Sequence, residues 1–243
     1  MTPQPTPVPT LPSCTPNRDG AITADELPIA LGATLSYYAS TNTPVALTGS
    51  VVDLSVERSS DTIVALGPVA VGTQWYAPSF TQGQFVVDGG GGLDGIYHQD
   101  AQALWLDGTA SQTTSPKTLV RYPQPIAVVR FPVVDGAAYT TTASIPDGVI
   151  SGLPFIGTDK VDIDVTAADR IDVPYVEFSP AMRVRTLVTR TPSTGTPVVT
   201  KRTTIFLFEC FGEVARAESQ TDEPAADFTT AAYLRRFALG ETP

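Results

Sequence analysis

Charge is scarce in this chain, and so are histidine, cysteine and long apolar runs. Charged residues make up 16% of 243, against roughly 25% in an average globular domain. The 25 acids outnumber the 15 bases, for a formal charge of −10. That sign repels phosphate backbones and anionic headgroups, which excludes nucleic acid and anionic membrane surfaces as partners. No run approaches the ~20 consecutive apolar residues that a spanning helix needs; the longest tract lies around Thr204–Phe208, so no transmembrane segment is expected. Two cysteines and one histidine, with no CxxC pair, are too few for a zinc site. The N-terminus also lacks the basic region and the apolar core of roughly 7–15 residues that mark a signal peptide.

What is present is proline, glycine, serine and threonine around a sizeable apolar fraction. Hydrophobic residues reach 42%, enough for a real core. There are 22 prolines, near twice the usual ~5%, and proline is tolerated mainly in turns, edges and linkers. Many short strands fit that composition better than helices do. Residues 1–14 read as a proline-rich tether, because Thr-Pro repeats stay extended. Residues 15–27 read as a turn-like acidic loop, and residues 28–243 as one β-rich domain. Such a tether ordinarily follows an export signal or lipid anchor, so the expected location is extracytoplasmic: periplasm, outer membrane or secreted. The expected anchoring is a membrane tether through a lipid that this chain does not carry.

Ile29, Leu31, Ala33, Leu35 and Tyr37 alternate within Leu27–Ala39, which predicts a strand with one buried face. Further strands are expected at Val51–Val56, Thr62–Leu66, Gln74–Ala77, Gln84–Val87, Gly95–Tyr97, Ala103–Leu106, Ile126–Phe131, Ala138–Ala143 and Lys160–Thr166. Gly89 to Gly92 reads as a flexible loop between strands. Ala181–Thr189 and Val198–Phe211 form a hairpin around the turn-rich Pro192–Pro197. Both faces of its second arm are apolar, which places it centrally in the sheet. One short C-terminal helix is expected over Asp227–Leu239, where Phe228, Ala231, Ala232, Leu234 and Phe237 recur at helical spacing and Arg235-Arg236 suit a helix C-terminus before Gly240. The expected fold is mainly β, a single curved antiparallel sheet or open half-barrel, with a β-sandwich as the alternative.

The segment Thr15–Glu26 resembles the twelve-residue calcium loop of EF-hands and dockerin-like repeats. Calcium needs hard oxygens around a sharp turn. Asn17, Asp19, the Ala21 carbonyl, Thr23 and Glu26 fall at loop positions 3, 5, 7, 9 and 12, with Gly20 at the turn and Ile22 pointing inward. Thr15 stands where the loop's first aspartate would be, and Pro28 stands in place of a flanking helix. The resemblance implies a Ca2+ site that braces the N-terminus; the plainer reading is a turn that docks Ile22. Cys14 and Cys210 could join in a disulfide in an oxidising compartment, or remain an exposed and a buried thiol.

Enzyme signatures are weak, and no enzyme is expected. His98 lies in Tyr97-His98-Gln99-Asp100 with no evident partner, and no Gly-x-Ser-x-Gly elbow accompanies it. Asp162 and Asp164 share a strand face as a glycosidase pair would, yet their alternation with Val161, Ile163 and Val165 describes a wet face. Trp75, Tyr76, Phe80, Phe85, Tyr97 and Trp105 crowd one region, as either a ligand platform or an inner sheet face.

Val173-Pro174-Tyr175-Val176-Glu177-Phe178-Ser179-Pro180-Ala181-Met182-Arg183-Val184 resembles the V-P-A-G-x-F-x-A-x-R-V stretch of bacterial envelope proteins with LolA-like unclosed β-barrels; Val176 replaces the usual glycine. That resemblance implies a non-enzymatic envelope protein whose concave sheet holds a lipid or other hydrophobic ligand. The alternative is a structural or interaction module on the cell surface, stiffened by the calcium-loop-like turn.

Overall fold

The computed structural model describes residues 13–195 and 197–240; most of the expected tether, residues 1–12, lies outside them. β1 (Ala21–Ile22), β2 (Leu35–Pro44), β3 (Val51–Asp53), β4 (Thr62–Leu66) and β5 (Val69–Ala70) lead into two single-turn 3-10 helices, Val71–Thr73 and Ala77–Ser79. β6 (Phe85–Gly90), β7 (Leu93–Gln99), β8 (Ala103–Ser111), β9 (Leu119–Arg130), β10 (Val133–Val134), β11 (Ala138–Ile150) and β12 (Leu153–Ala168) follow, all but β10 as a meander. The chain ends with β13 (Arg170–Val173), β14 (Val176–Phe178), β15 (Ala181–Pro192), β16 (Val199–Phe208), β17 (Gly212–Glu218) and β18 (Thr230–Phe237).

Thirteen strands form one antiparallel sheet in the order β4-β2-β18-β17-β16-β15-β12-β11-β9-β8-β7-β6-β5. Local sequence explains its members well. Along β12, Gly157, Asp159, Val161, Ile163 and Val165 are buried and alternate with more exposed Thr158, Lys160, Asp162 and Asp164, the period-two pattern of a strand packed on one face. The three-stranded sheet β14-β13-β3 includes a parallel pairing of β13 with β3, and β1 pairs with β10 apart from both.

The large sheet curls back on itself without closing into a barrel. Tyr97 on β7 lies within electrostatic reach of Glu213, Arg216 and Glu218 on β17 and of Arg235 on β18, although β7 and β17 are far apart in the ladder. Tyr233 on β18 likewise feels Asp88 on β6. The two edge strands, β4 and β5, are consecutive in the chain and separated only by Gly67-Pro68. Gly67 is required there, because a Cβ would lie 1.9 Å from the Ala33 carbonyl oxygen.

Among the described residues, three apolar clusters form the core. One lies between β2, β16, β17 and β18 and the small sheet, uniting Tyr37, Phe206, Phe208, Val214, Leu234 and Phe237 with Val52, Ile171, Val173 and Phe178. A second joins β9, β11, β12, β15 and β16, and takes in Ile22 and Leu27 from the N-terminal segment. The third packs Tyr76 and Phe80 of the 3-10 region onto Val86, Ile96 and Ala110.

Several expectations change. The C-terminal helix is instead β18, paired with β17 and β2. Spacings of three in Ala231, Leu234 and Phe237 suit a helix stripe, but two open ladders and buried partners for both arginines outweigh propensity. Arg236 donates to the Leu54 and Val56 carbonyls and to Asp61, while Arg235 donates to Glu213. The expected Gln74–Ala77 strand lies in the 3-10 region. The strand expected from Leu27 starts only at Leu35, after Pro28 and Gly32, whose φ of +79° interrupts extension. The glycine run is a tight β6–β7 hairpin in which Gly90, Gly91 and Gly92 all take positive φ.

Candidate functional site

The acidic N-terminal loop is a clasp across one end of the curled sheet. Asn17 Oδ1 accepts from Asp19 N at 2.9 Å, Asn17 Nδ2 donates to Asp19 Oδ2 at 3.3 Å, and Asp19 Oδ1 accepts from Ala21 N at 2.9 Å. Glu26 Oε2 accepts from the backbone N–H and hydroxyl of Thr23 at 2.9 and 2.8 Å. The carboxylates of Asp19 and Glu26 thus each serve a separate local turn. Among the described residues, no group of three or more His, Cys, Asp or Glu side chains is placed to hold a metal ion.

The rest of the loop reaches outward to several strand ends. Ala21 and Ile22 pair with Val134 and Val133. Gln99 Nε2 donates to the carbonyls of Ala24 and Leu27, both at 3.2 Å. Arg18 N donates to Glu209 Oε2, and Cys210 N to the Glu26 carbonyl, each at 2.8 Å. Cys14 and Cys210 are joined by a disulfide at a sequence separation of 196. Closing so long a loop removes on the order of 5 kcal/mol of chain entropy from the unfolded state in the entropic account.

His98 does have a partner. Its Nδ1 sits 2.9 and 3.0 Å from the two Asp107 oxygens, and its ring stacks on Trp105. Burial raises the Asp107 carboxyl above its ordinary value, and His98 only partly offsets this. A register shift between Leu106 and Gly108 leaves Asp107 out of the regular β8–β9 pairing, a local irregularity that alternation does not encode. Asp162 and Asp164 lie on the outer face of β12. Asp162 accepts from Thr140 Oγ1 and Lys160 Nζ at 2.6 and 2.8 Å, and Asp164 faces Arg185 at 3.8 Å. Of the six clustered aromatics, Tyr76, Phe80 and Phe85 are buried and the others half-buried; they divide between the two faces of the sheet, Trp75, Tyr76 and Phe80 packing with Val86 and Ile96 and Phe85 stacking on Tyr97 on the other side.

Two ionic networks have no signature in the sequence, one running from exposed Lys201 to buried Arg235 and one around buried Asp159. On β16 to β18, Lys201, Glu218, Arg216, Glu213 and Arg235 form a chain of alternating sign, with Lys201–Glu218 at 3.6 Å, Arg216–Glu218 at 3.7 Å and Arg216–Glu213 at 2.7 Å. Burial alone would raise the Glu213 carboxyl, but Arg216 and Arg235 overcome it and hold the group down to about 2. Asp159, fully buried, accepts from Tyr122 Oη at 2.6 Å and from Arg190 Nε and Nη2 at 2.8 and 2.6 Å. Burial, aided by the Asp159 charge, pushes the Tyr122 hydroxyl far above its ordinary value. Glu213, Arg216, Glu218, Asp159, Tyr122 and Arg190 fall outside every strand expected from the sequence, and Arg235 stands at the end of the expected helix.

Surface clefts among the described residues include two of note. One, of about 470 Å³, lies between Thr23, Asp25 and Ile29 of the clasp and Gln84, Gln99 and Asp100. The other, of about 350 Å³, lies where the two sheet edges meet. Among the described residues no helix is long and apolar enough to cross a membrane. Comparison with protein-family models, with curated proteins and with solved structures finds no match to this chain.

Proposed function

We propose that this protein is a non-enzymatic, extracytoplasmic structural or interaction module. The carrying observation is the ionic chain from Lys201 to Arg235 on the inward-facing side of β16 to β18. A lipid carrier needs apolar surface in its concavity, whereas burying a hydrocarbon against Glu213 and Arg216 would desolvate charges without compensating them. The aliphatic remainder of the interior, around Val161, Ile163 and Val184, is already occupied by packed side chains. The clasp supports the same reading. A pull on the tether at Cys14 passes through the disulfide to Cys210, at the turn between two interior strands of the sheet, instead of peeling the two-residue β1 from its partner.

Native mass spectrometry of protein isolated from a bacterial host, before and after organic extraction, tests this. The expected result is the mass of the polypeptide alone in both spectra. An additional several hundred daltons, removed by solvent, would show a carried lipid and overturn the module reading.

A further inference from the structure

The main sheet is complete without the N-terminal clasp. None of its thirteen strands takes a residue from before Leu35. The clasp's own ladder is the two-residue β1 against β10. Its other polar ties to the sheet are few: Gln99 Nε2 to the Ala24 and Leu27 carbonyls, Arg18 N to Glu209 Oε2, and Cys210 N to the Glu26 carbonyl. Burial of Ile22 and Leu27 adds apolar contact at two points. A segment with so short a ladder and so few buried side chains belongs to the least stable part of a fold, the part that opens locally.

What prevents that opening is covalent. The Cys14–Cys210 disulfide pins the clasp at its start, and the chain running on into β2 pins it at its end. A segment held at both ends cannot fray, whereas one cut free at Cys14 has a loose terminus. The bond also lies within reach of solvent. Cys14 and Cys210 are only half-buried, Ser13 and Thr15 beside the first are exposed, and Phe211 beside the second is 43% exposed. Release uncovers groups that the clasp now hides. Val133, 1% exposed, is the ladder partner of Ile22, and Glu209, 4% exposed, accepts from Arg18 N at 2.8 Å.

We propose that the Cys14–Cys210 disulfide is a redox-operated lock on the clasp, so that a dithiol reductant frees residues 13–27 while the thirteen strands of the main sheet stay paired. One thiolate of the reductant attacks a cystine sulfur, forming a mixed disulfide and releasing the other cysteine as a thiolate. The reductant's second sulfur then displaces the protein and closes a cyclic disulfide. Two electrons pass to the protein, both cysteines end as thiols, and the dithiol is oxidised. The proposal does not rest on the module reading, since a carried lipid would overturn that reading and leave the lock in place.

Hydrogen exchange of the full chain read by mass spectrometry tests it, with and without dithiothreitol in native buffer and with free thiols counted by iodoacetamide. The expected result is two alkylated cysteines after reduction and exchange about tenfold faster or more over residues 15–27 and at Val133 and Val134. Exchange in β8, β9, β11 and β12 should match the oxidised protein, and removal of the reductant in air should restore the slow pattern. The double variant Cys14→Ser, Cys210→Ser should show the fast clasp without reductant. Three outcomes would overturn the proposal: cysteines that dithiothreitol reaches only in urea, a reduced protein whose clasp exchanges as slowly as before, or acceleration spread evenly through the sheet, which would make the bond a global staple and not a lock.

Discussion

The two faces of β16, β17 and β18 are made by the same strands and the same alternation, yet they solve burial in opposite ways. One face lays Phe206, Phe208, Val214 and Leu234 under the small sheet β14-β13-β3. The other aligns Lys201, Glu218, Arg216, Glu213 and Arg235 across from Tyr97 of β7. The first face is stabilised by area removed from water. The second is held because each charge meets an opposite one, and removing a member from its buried middle leaves the neighbouring charges uncompensated.

Truncating the apolar face should have the largest effect. Phe206→Ala removes a fully buried ring and is expected to cost about 4 kcal/mol, measured by urea unfolding followed by circular dichroism. Breaking the ionic face at one point comes next. Glu213→Ala strands Arg216 and Arg235 without a counter-charge and is expected to cost about 3 kcal/mol, whereas the combined Glu213→Leu, Arg216→Met and Arg235→Leu substitution should return to within about 1 kcal/mol of the parent. If the triple variant is no more stable than the single one, the ionic face contributes more than mutual neutralisation.

Acid should erode one face and spare the other. Glu213 is held down to about 2 from an ordinary 4.5, so its contribution is fully present above pH 4.5 and is lost as pH falls toward 2. The loss is on the order of 3 kcal/mol, at ~1.4 kcal/mol per unit. A pH series of urea midpoints should show this slope in the parent and a flatter one in Glu213→Ala. The smallest effect is expected on the outer face of β12. There Lys160 and Asp162 are paired at 2.8 Å but exposed to solvent, and Asp162→Asn should change stability by less than about 1 kcal/mol.

The strands that alternate cleanly are the ones that sequence makes legible. The Thr62–Leu66 strand matches β4 residue for residue, and the hairpin across Pro192–Pro197 appears as β15 and β16. β17 was not foreseen, because Glu213-Val214-Ala215-Arg216 has no periodic apolar face of its own; a register shift at Phe206/Leu207 reorganises its pairing. β18 looked helical because its small residues favour neither state strongly, and its partners come from β2, nearly 200 positions earlier. The partnership of His98 with Asp107 was equally hidden. It depends on a bulge, and the two residues are nine positions apart on adjacent strands.

By itself the sequence determined the mainly β character, the central place of β16 and the surplus of acid, because alternation, turn residues and charge are local or additive properties. It also placed one cysteine at the tether junction and one in an apolar run. Only the tertiary structure decided that those cysteines meet, that the acidic loop spans one end of the sheet as a clasp, and that Glu213, Arg216 and Arg235 lie inside. Nor could sequence show that β4 and β5 bring the two edges to a single seam. The physical reason is that a charged residue on an alternating strand occupies the same sequence position whether its face meets water or an opposite charge. Curvature of the whole sheet, to which no short segment commits the chain, makes that choice.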